Sequence, residues 1–315
     1  MTEPLRLTTR EVATFVARGF LRFDAAVLAE INEQFLEEAG RIRDPRPGER
    51  VHRIHAEALA KARIPEVAPG APLFEAYPPE SALGRLMRLP RVAGGFRSLL
   101  GEAPVFDHHF LHVTFPPKFH AAASRENVSQ NTHQDSTIDP GAGFDVQLMY
   151  FPHAVTREMG GTRFTPGTHL HKVSEAAIGR YQNMVGQQHM VCEAGTLLFL
   201  HHGIWHGGGV NHADQARYMF KIRAHASTRQ TRCWNLEDLP RRNARRPIFF
   251  TKSAPEPDTI ETILTTPEPW FEFDTGRLEF VNRIKLWRYM TEDPAYDADY
   301  WLTRLEATPE AQAAR

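Results

Sequence analysis

Two histidines and an aspartate carry the strongest chemical signal in this chain. His133 and Asp135 stand one residue apart in the run Asn131-Thr132-His133-Gln134-Asp135-Ser136. In an extended segment, residues i and i+2 point the same way, so both side chains can reach one ion from one face of a sheet. A third ligand must then come from a different strand. The later run Leu198-Phe199-Leu200-His201-His202-Gly203-Ile204-Trp205-His206-Gly207-Gly208-Gly209 offers His206, with His201 and His202 as rivals on the same stretch. Two imidazoles and one carboxylate on one face of a metal, with the other positions open, form the ligand set of non-haem Fe(II) oxygen chemistry. Arg217 follows His206 by eleven residues. A guanidinium pairs bidentately with a carboxylate, so Arg217 is where a dicarboxylic cosubstrate could be anchored.

A bare His-x-Asp is a weak signal in a chain with 16 histidines. Taken alone, His133 reads as a solvated loop histidine. The surrounding stretches add specificity, and together they resemble the phytanoyl-CoA dioxygenase (PhyH) family of Fe(II)/2-oxoglutarate oxygenases. They begin with Leu7-Thr8-Thr9-Arg10-Glu11-Val12, Gly19-Phe20 and Phe115-Pro116-Pro117. They continue through His133-Gln134-Asp135 and Gly160-Gly161-Thr162-Arg163-Phe164-Thr165-Pro166-Gly167-Thr168-His169. Gly195-Thr196-Leu197-Leu198-Phe199, Trp205-His206, Asn211 and Arg217 complete the set.

The resemblance covers roughly residues 7 to 226, and the chain after about residue 235 matches nothing in it. It implies metal ligands His133, Asp135 and His206, with His206 preferred over His201 and His202 by the Trp-His-Gly turn. It also implies a 2-oxoglutarate anchor at Arg217. Aligned on Pro116-Pro117, Leu111 falls beside the cosubstrate, and His109 is expected to point into the same cavity. Met149 falls, after an adjustment of two residues, at another cosubstrate contact whose face Gln147 shares. Leu111, Gln147 and Met149 read equally well as core or pocket lining.

The implied reaction consumes O2 and 2-oxoglutarate, releases succinate and carbon dioxide, and oxidises a C–H bond of a small molecule or natural-product intermediate. Ascorbate is the expected help in vitro. Halogenating relatives lack the carboxylate ligand, so Asp135 argues against halogenation. Hydroxylation, desaturation, epoxidation and rearrangement all stay open. The alternatives are a zinc-dependent hydrolase or lyase on a similar barrel, and a non-catalytic ligand-binding jelly roll.

Several other residues have two readings. His108, His109, His112 and His120 cluster near one strand; a polar rim on the substrate mouth is favoured over a second metal, which makes His109 and His120 candidate substrate contacts. Lys221 and Arg223 share the alternating face of Arg217. Arg223 is therefore a rival carboxylate anchor or a contact for an acidic substrate group. Equally, it is a charged residue where the strand reaches water.

Composition sets the frame. With 315 residues, 42% hydrophobic content and a net charge of -1, the chain is expected to fold as one domain spanning 1–315 and to attract neither nucleic acid nor a membrane. Two cysteines, Cys192 and Cys233, form no disulfide framework, so a reduced, cytoplasmic setting is expected. No signal-type apolar segment and no run of 18 apolar residues is present. The expected partner is a small-molecule substrate, with a homodimer as a further candidate.

The elements that position these residues can also be read. Thr8 and Glu11 form a capping box for a helix ending near Gly19. Asp24 is the expected cap of a second helix with Val27, Leu28, Ile31 and Phe35 on one face and Gly40 as its stop. Residues 43–53 read as a loop, Ser81 to Leu100 as helix broken near Pro90, and Val105 to Phe115 as a strand. Pro116 to Asn131 reads as a long polar loop. Short strands follow at Val146 to Phe151, Thr162 to Thr165, Thr196 to Leu200 and Arg217 to Ala224. Helices first and then many short strands predict a mainly β fold with flanking helices, a cupin-like double-stranded β-helix or jelly roll. Residues 235–315 hold too many aromatics for a disordered tail, and Val281, Ile284, Leu286 and Trp287 predict a helix there. This extension is expected to act as a lid, an interface or a buttress.

Overall fold

A computed structural model describes residues 3–124, 126–135, 145–171, 175–180, 182–239, 259–269 and 273–296. In chain order the elements are α1 (Thr9–Arg18), β1 (Phe20–Phe23), α2 (Ala29–Ala39), α3 (Val51–Lys61), α4 (Ala82–Met87), α5 (Pro90–Leu100), β2 (Val105–Thr114), α6 (Pro117–Ala122) and β3 (Val146–Phe151). Then come β4 (Thr162–Thr165), α7 (Glu175–Ile178), β5 (Gln188–His189), β6 (Thr196–His201), β7 (Trp205–Gly208), β8 (Arg217–His225), α8 (Ile260–Thr265) and α9 (Phe273–Thr291).

Among the described residues eight strands form two antiparallel sheets. The larger has the order β1-β6-β3-β8-β2 and the smaller β5-β4-β7. Alternation along the strands divides the larger sheet's side chains between two faces. Leu148, Tyr150, Leu197, Phe199, Phe220 and Ile222 pack with the helices in the main core. Met149, Phe151, Leu198, Leu200 and Met219 face the smaller sheet and pack with Phe164. Each such side chain, removed from water, contributes about 1.5–3 kcal/mol. This is the mainly β, two-sheet architecture of a jelly roll with helices on one flank.

α1 shows how local sequence sets an element. Thr8 Oγ accepts the Glu11 N–H while the Glu11 carboxylate accepts the Thr8 N–H, closing the box at both ends. Val12, Phe15 and Val16 are fully buried along one stripe. Gly19 ends the helix in the left-handed region at φ 79°. A Cβ there would also lie 2.6 Å from the His169 ring, so glycine is required twice over.

The fold departs from expectation at several points. Asp24 does not cap α2; it pairs with Arg22 and accepts from Thr196, and α2 begins at Ala29 after Leu28 with no side-chain cap. Helix α3 begins at Val51, inside the stretch expected as loop, because Ile54 and Ala58 bury one side of it. The expected loop after Pro116 opens with α6, started by Pro117 at its first position. β1, β5 and β7 are only two to four residues long, too short to show a period.

The described helices beyond residue 235 pack against α1 and the Thr168–Leu170 turn. Ile260, Leu264, Ile284, Leu286 and Trp287 join the main core. Buried Glu279 and Arg283 pair with each other, and Glu279 also faces His171. The arginine-rich run 241–246, the aromatic positions Phe249, Phe250, Trp270, Phe271, Tyr300 and Trp301, and the side chain of Phe273 lie outside the described residues. Among the described residues no helix is long and apolar enough to cross a membrane.

Candidate metal centre

His133 does not lie in a strand of its own. It forms an isolated antiparallel bridge with His206 of β7, each backbone N–H donating to the other's carbonyl at 2.9 Å. This bridge, rather than a shared sheet face, places the His-x-Asp segment beside the distal histidine. The expectation that His133 and Asp135 sit on one strand is corrected to a short bridge followed by a bend. Close approach of the two segments explains Gly207: a Cβ there would come within 3.0 Å of the Gln130 and Asn131 carbonyl oxygens. Arg163, on the outer face of β4, donates to the Gln130 carbonyl at 2.5 Å and to Gln182 Oε1 at 2.8 Å, and Gln182 Oε1 also accepts the Thr132 N–H. The segment before His133 is thereby tied to β4.

The ligating atoms of His133, Asp135 and His206 lie within 4.8 Å of one another. His133 Nε2 stands 3.6 Å from Asp135 Oδ1, and His206 Nε2 stands 3.6 Å from Asp135 Oδ2. Nδ1 of His133 contacts the Asn131 carbonyl and Nδ1 of His206 contacts the Ile204 carbonyl, each at 3.0 Å. With the protons on Nδ1, both Nε2 lone pairs face the carboxylate, which is the arrangement metal-bound histidines use. Ligand atoms at right angles, about 2.1 Å from one ion, sit about 3 Å apart. The 3.6 Å spacings exceed this by roughly 0.6 Å, so the three side chains would draw inward on a bound ion.

Electrostatics point the same way. Asp135 Oδ2 is buried and makes no hydrogen bond among the described residues. Burial would raise its carboxyl, but the fields of His206, Lys221, His202 and His133 outweigh that and hold it at about 2. Burial lowers His206 to about 4, so its imidazole is neutral and free to ligate at neutral pH. His202 Nε2 lies 3.4 Å from Asp135 Oδ2. His201 lies elsewhere: its Nδ1 accepts the Gly203 N–H, and its ring packs 4.7 Å from that of His169. The Pro-Gly-Thr-His turn is structural here, since Gly167 N–H donates to Arg18 and Thr168 Oγ accepts the Trp205 N–H next to His206.

A cavity of about 390 Å³ opens onto the three ligands, lined also by Phe110, His112, Thr114, His120, Met149, Arg217 and Lys221. Arg217 is 4% exposed. Its Nη2 donates to Thr114 Oγ at 2.6 Å, while Nε and Nη1 have no hydrogen-bond partner among the described residues. Burial lowers it to about 10, still charged at neutral pH. A buried guanidinium with unused donors is a cradle for an anion.

Four expected contacts are not brought to this cavity. Leu111 and His109 alternate onto the opposite face of β2, where Leu111 joins the helix-side core and His109 stacks on Tyr77. The cavity face of β2 carries Phe110, His112 and Thr114 instead, one residue out of step with the alignment on Pro116-Pro117. Thr114 and His112 were legible as the alternate face, and Thr114 is the direct cross-strand partner of Arg217. Gln147 is fully buried, lies opposite Arg223, and does not line the cavity; neither amide atom has a hydrogen-bond partner among the described residues. Arg223 is engaged by Asp107 at 3.0 Å and Asp145 at 2.8 Å, away from the ligands.

Outside the metal cluster, His201 and His171 are held low by burial, at about 3 and 4, and His169 well below its ordinary value. Folded values below the unfolded 6.5 mean that protons bind more tightly to the unfolded chain. Stability is therefore full above about pH 6.5 and declines as pH falls toward the folded values, by about 1.4 kcal/mol per pH unit for each such group. Urea titration of the metal-free protein at pH 7.5, 6 and 5 is expected to show falling midpoints. Equal midpoints would contradict the burial of neutral imidazoles.

A two-sheet barrel with two imidazoles, a carboxylate and a buried arginine in one cavity defines a metal-dependent enzyme of the jelly-roll class. Residues 15–219 match the family described as Phytanoyl-CoA dioxygenase (PhyH), and the chain belongs to that family. No curated protein matches it. Among solved structures, it is similar to the non-heme alpha ketoglutarate dependent epimerase SnoN from nogalamycin biosynthesis, with 19% identity over 70% of this chain and 82% of that one and a TM-score of 0.46. It is also similar to HygX from Streptomyces hygroscopicus with nickel and 2-oxoglutarate bound, with 11% identity, 70% and 88% coverage and a TM-score of 0.47. A third is the non-heme monooxygenase ThoJ in complex with nickel, with 21% identity, 69% and 80% coverage and a TM-score of 0.46.

Proposed function

We propose that the protein is an Fe(II)/2-oxoglutarate-dependent oxygenase that oxidises a C–H bond of a small molecule. The observation that carries this reading is the pairing, in one cavity, of a three-ligand facial set with a buried arginine that has donors to spare. A zinc hydrolase needs the ligands but has no use for such an arginine.

His133, Asp135 and His206 would hold the metal, and the two Nδ1 contacts to backbone carbonyls fix the rings. Arg217, steadied by Thr114, pairs with the distal carboxylate of 2-oxoglutarate. The iron, when bound, would supply the oxidation of the C–H bond by O2, with 2-oxoglutarate consumed alongside and released as succinate and carbon dioxide. Phe110, Met149 and Met219 give the same space an apolar lining. The remaining residues orient the substrate and select the hydrogen.

The test is anaerobic reconstitution with Fe(II) followed by 2-oxoglutarate. A visible charge-transfer band on adding 2-oxoglutarate, then succinate release on admitting air, is expected. A protein that binds zinc tightly and gives neither band nor succinate would support the hydrolase instead.

A further inference from the structure

The inner face of β8 presents two buried cations to the cavity, and the proposed reaction accounts for one of them. Arg217 has its role. Lys221 is 7% exposed and lines the same cavity, opposite Phe110 of β2 and Met149 of β3. Its ammonium stands 3.5 Å from Asp135 Oδ2 and 5.4 Å from the Phe110 ring centroid. Among the described residues, Asp135 is its only ionic partner.

That partner is committed elsewhere. A divalent metal held by Asp135 and by the keto-acid end of 2-oxoglutarate would have its charge matched by those two carboxylates. The distal carboxylate matches Arg217. Among the described residues Lys221 is then left without a counter-ion while 7% exposed, a costly state unless something anionic arrives. Arg223, the next residue on this face, already has Asp107 and Asp145 and needs nothing more. A second polar group waits nearby. Nε2 of His112 is buried, has no hydrogen-bond partner among the described residues, and belongs to the same cavity lining. Burial holds His112 at about 4, so it meets a ligand as a neutral imidazole. At the mouth, Phe110 and Val128 line the cavity while 52% and 71% exposed, an apolar rim for the body of a ligand.

We infer that the substrate is an organic acid: its carboxylate pairs with Lys221, His112 hydrogen-bonds beside it, and an apolar body lies against Phe110 and Val128. This deepens the proposed function and rests on it. A cationic or uncharged substrate would leave the ammonium unmatched.

The experiment uses full-length protein loaded anaerobically with Fe(II) and 2-oxoglutarate. The probes are two acids with their primary amides, phenylacetate with phenylacetamide and hexanoate with hexanamide. Binding is read from displacement of the charge-transfer band. Wild type is expected to bind each acid roughly tenfold or more tightly than its amide, and Lys221→Met to bind the two alike. Lys221→Arg is expected to restore part of the preference, which a general loss of folding would not allow. No difference between acids and amides in wild type overturns the inference, as does a preference that survives in Lys221→Met. A loss of roughly tenfold or more in 2-oxoglutarate affinity in Lys221→Met also overturns it, because Lys221 would then belong to the cosubstrate anchor. If wild type develops no band with 2-oxoglutarate, the proposed function itself falls.

Discussion

Arg217→Ala is expected to weaken 2-oxoglutarate binding by a factor of a hundred or more while leaving iron in place. The guanidinium is buried, charged and held by a single hydroxyl, with two of its nitrogens lacking partners among the described residues. Removing one member of a buried charge pair costs about 3–5 kcal/mol, which is roughly a hundredfold to several thousandfold in affinity. Iron should be spared, because Arg217 is not among the three ligating residues. Titration of 2-oxoglutarate into the anaerobic Fe(II) protein, followed by its charge-transfer band, gives the dissociation constant, and metal analysis gives the iron content. Lys in place of Arg217 should recover only part of the affinity, since an ammonium lacks the planar fork. An unchanged constant in Arg217→Ala would move the anchor to Lys221, the other buried cation lining the cavity.

Legibility in the sequence followed the length scale of each signal. The capping box of α1, the break before Pro90 and the longer strands β2, β3, β6 and β8 each carry a pattern complete within a few residues. β7 has four residues, three of them outside any apolar alternation, and is held in place by β4, by the bridge to His133 and by hydrogen bonds to Thr168 and Gln130. Such an element exists through its partners and leaves no local trace. The candidate ligands were legible through the order of the motifs around them, not through residue type, since the chain has 16 histidines. Their geometry was not: an extended His-x-Asp was expected on one strand, whereas a two-residue bridge and a bend do the placing. Leu111 and His109 show the complementary failure. Period-2 alternation puts them on the face opposite His112, against the alignment on Pro116-Pro117. A one-residue error in a strand exchanges its faces completely. Lys221 shares the alternating face of Arg217 and Arg223, and the sequence alone assigns it no role. Only packing reveals that one of these cations is paired twice and another faces a cavity.

His206→Ala is expected to empty the metal site, whereas His202→Ala and His201→Ala keep it. All three histidines fall within six consecutive positions, and all three are at least 96% buried by relative exposures of 4%, 2% and 1% for His206, His202 and His201. Geometry separates them. His206 Nδ1 is turned to the Ile204 carbonyl, so its Nε2 joins Asp135 and His133 within the 4.8 Å cluster. His202 touches only the carboxylate end of that cluster, 3.4 Å from Asp135 Oδ2, and is not one of its three members. His201 belongs to the imidazole pair with His169 on the far side of β6. Losing an outer partner of a ligand lowers metal affinity about 10- to 100-fold. His202→Ala should fall in that range, because Asp135 would lose an orienting neighbour. Loss of a ligand leaves two, and His206→Ala should fall well below it. Each variant is to be reconstituted anaerobically with Fe(II), desalted and analysed for bound metal, with circular dichroism to establish that it is folded. Bound iron in His206→Ala, with none in a folded His202→Ala, would show that Nε2 of His202 completes the facial set and that the turn from Gly203 to Gly207 is placed differently in the loaded enzyme.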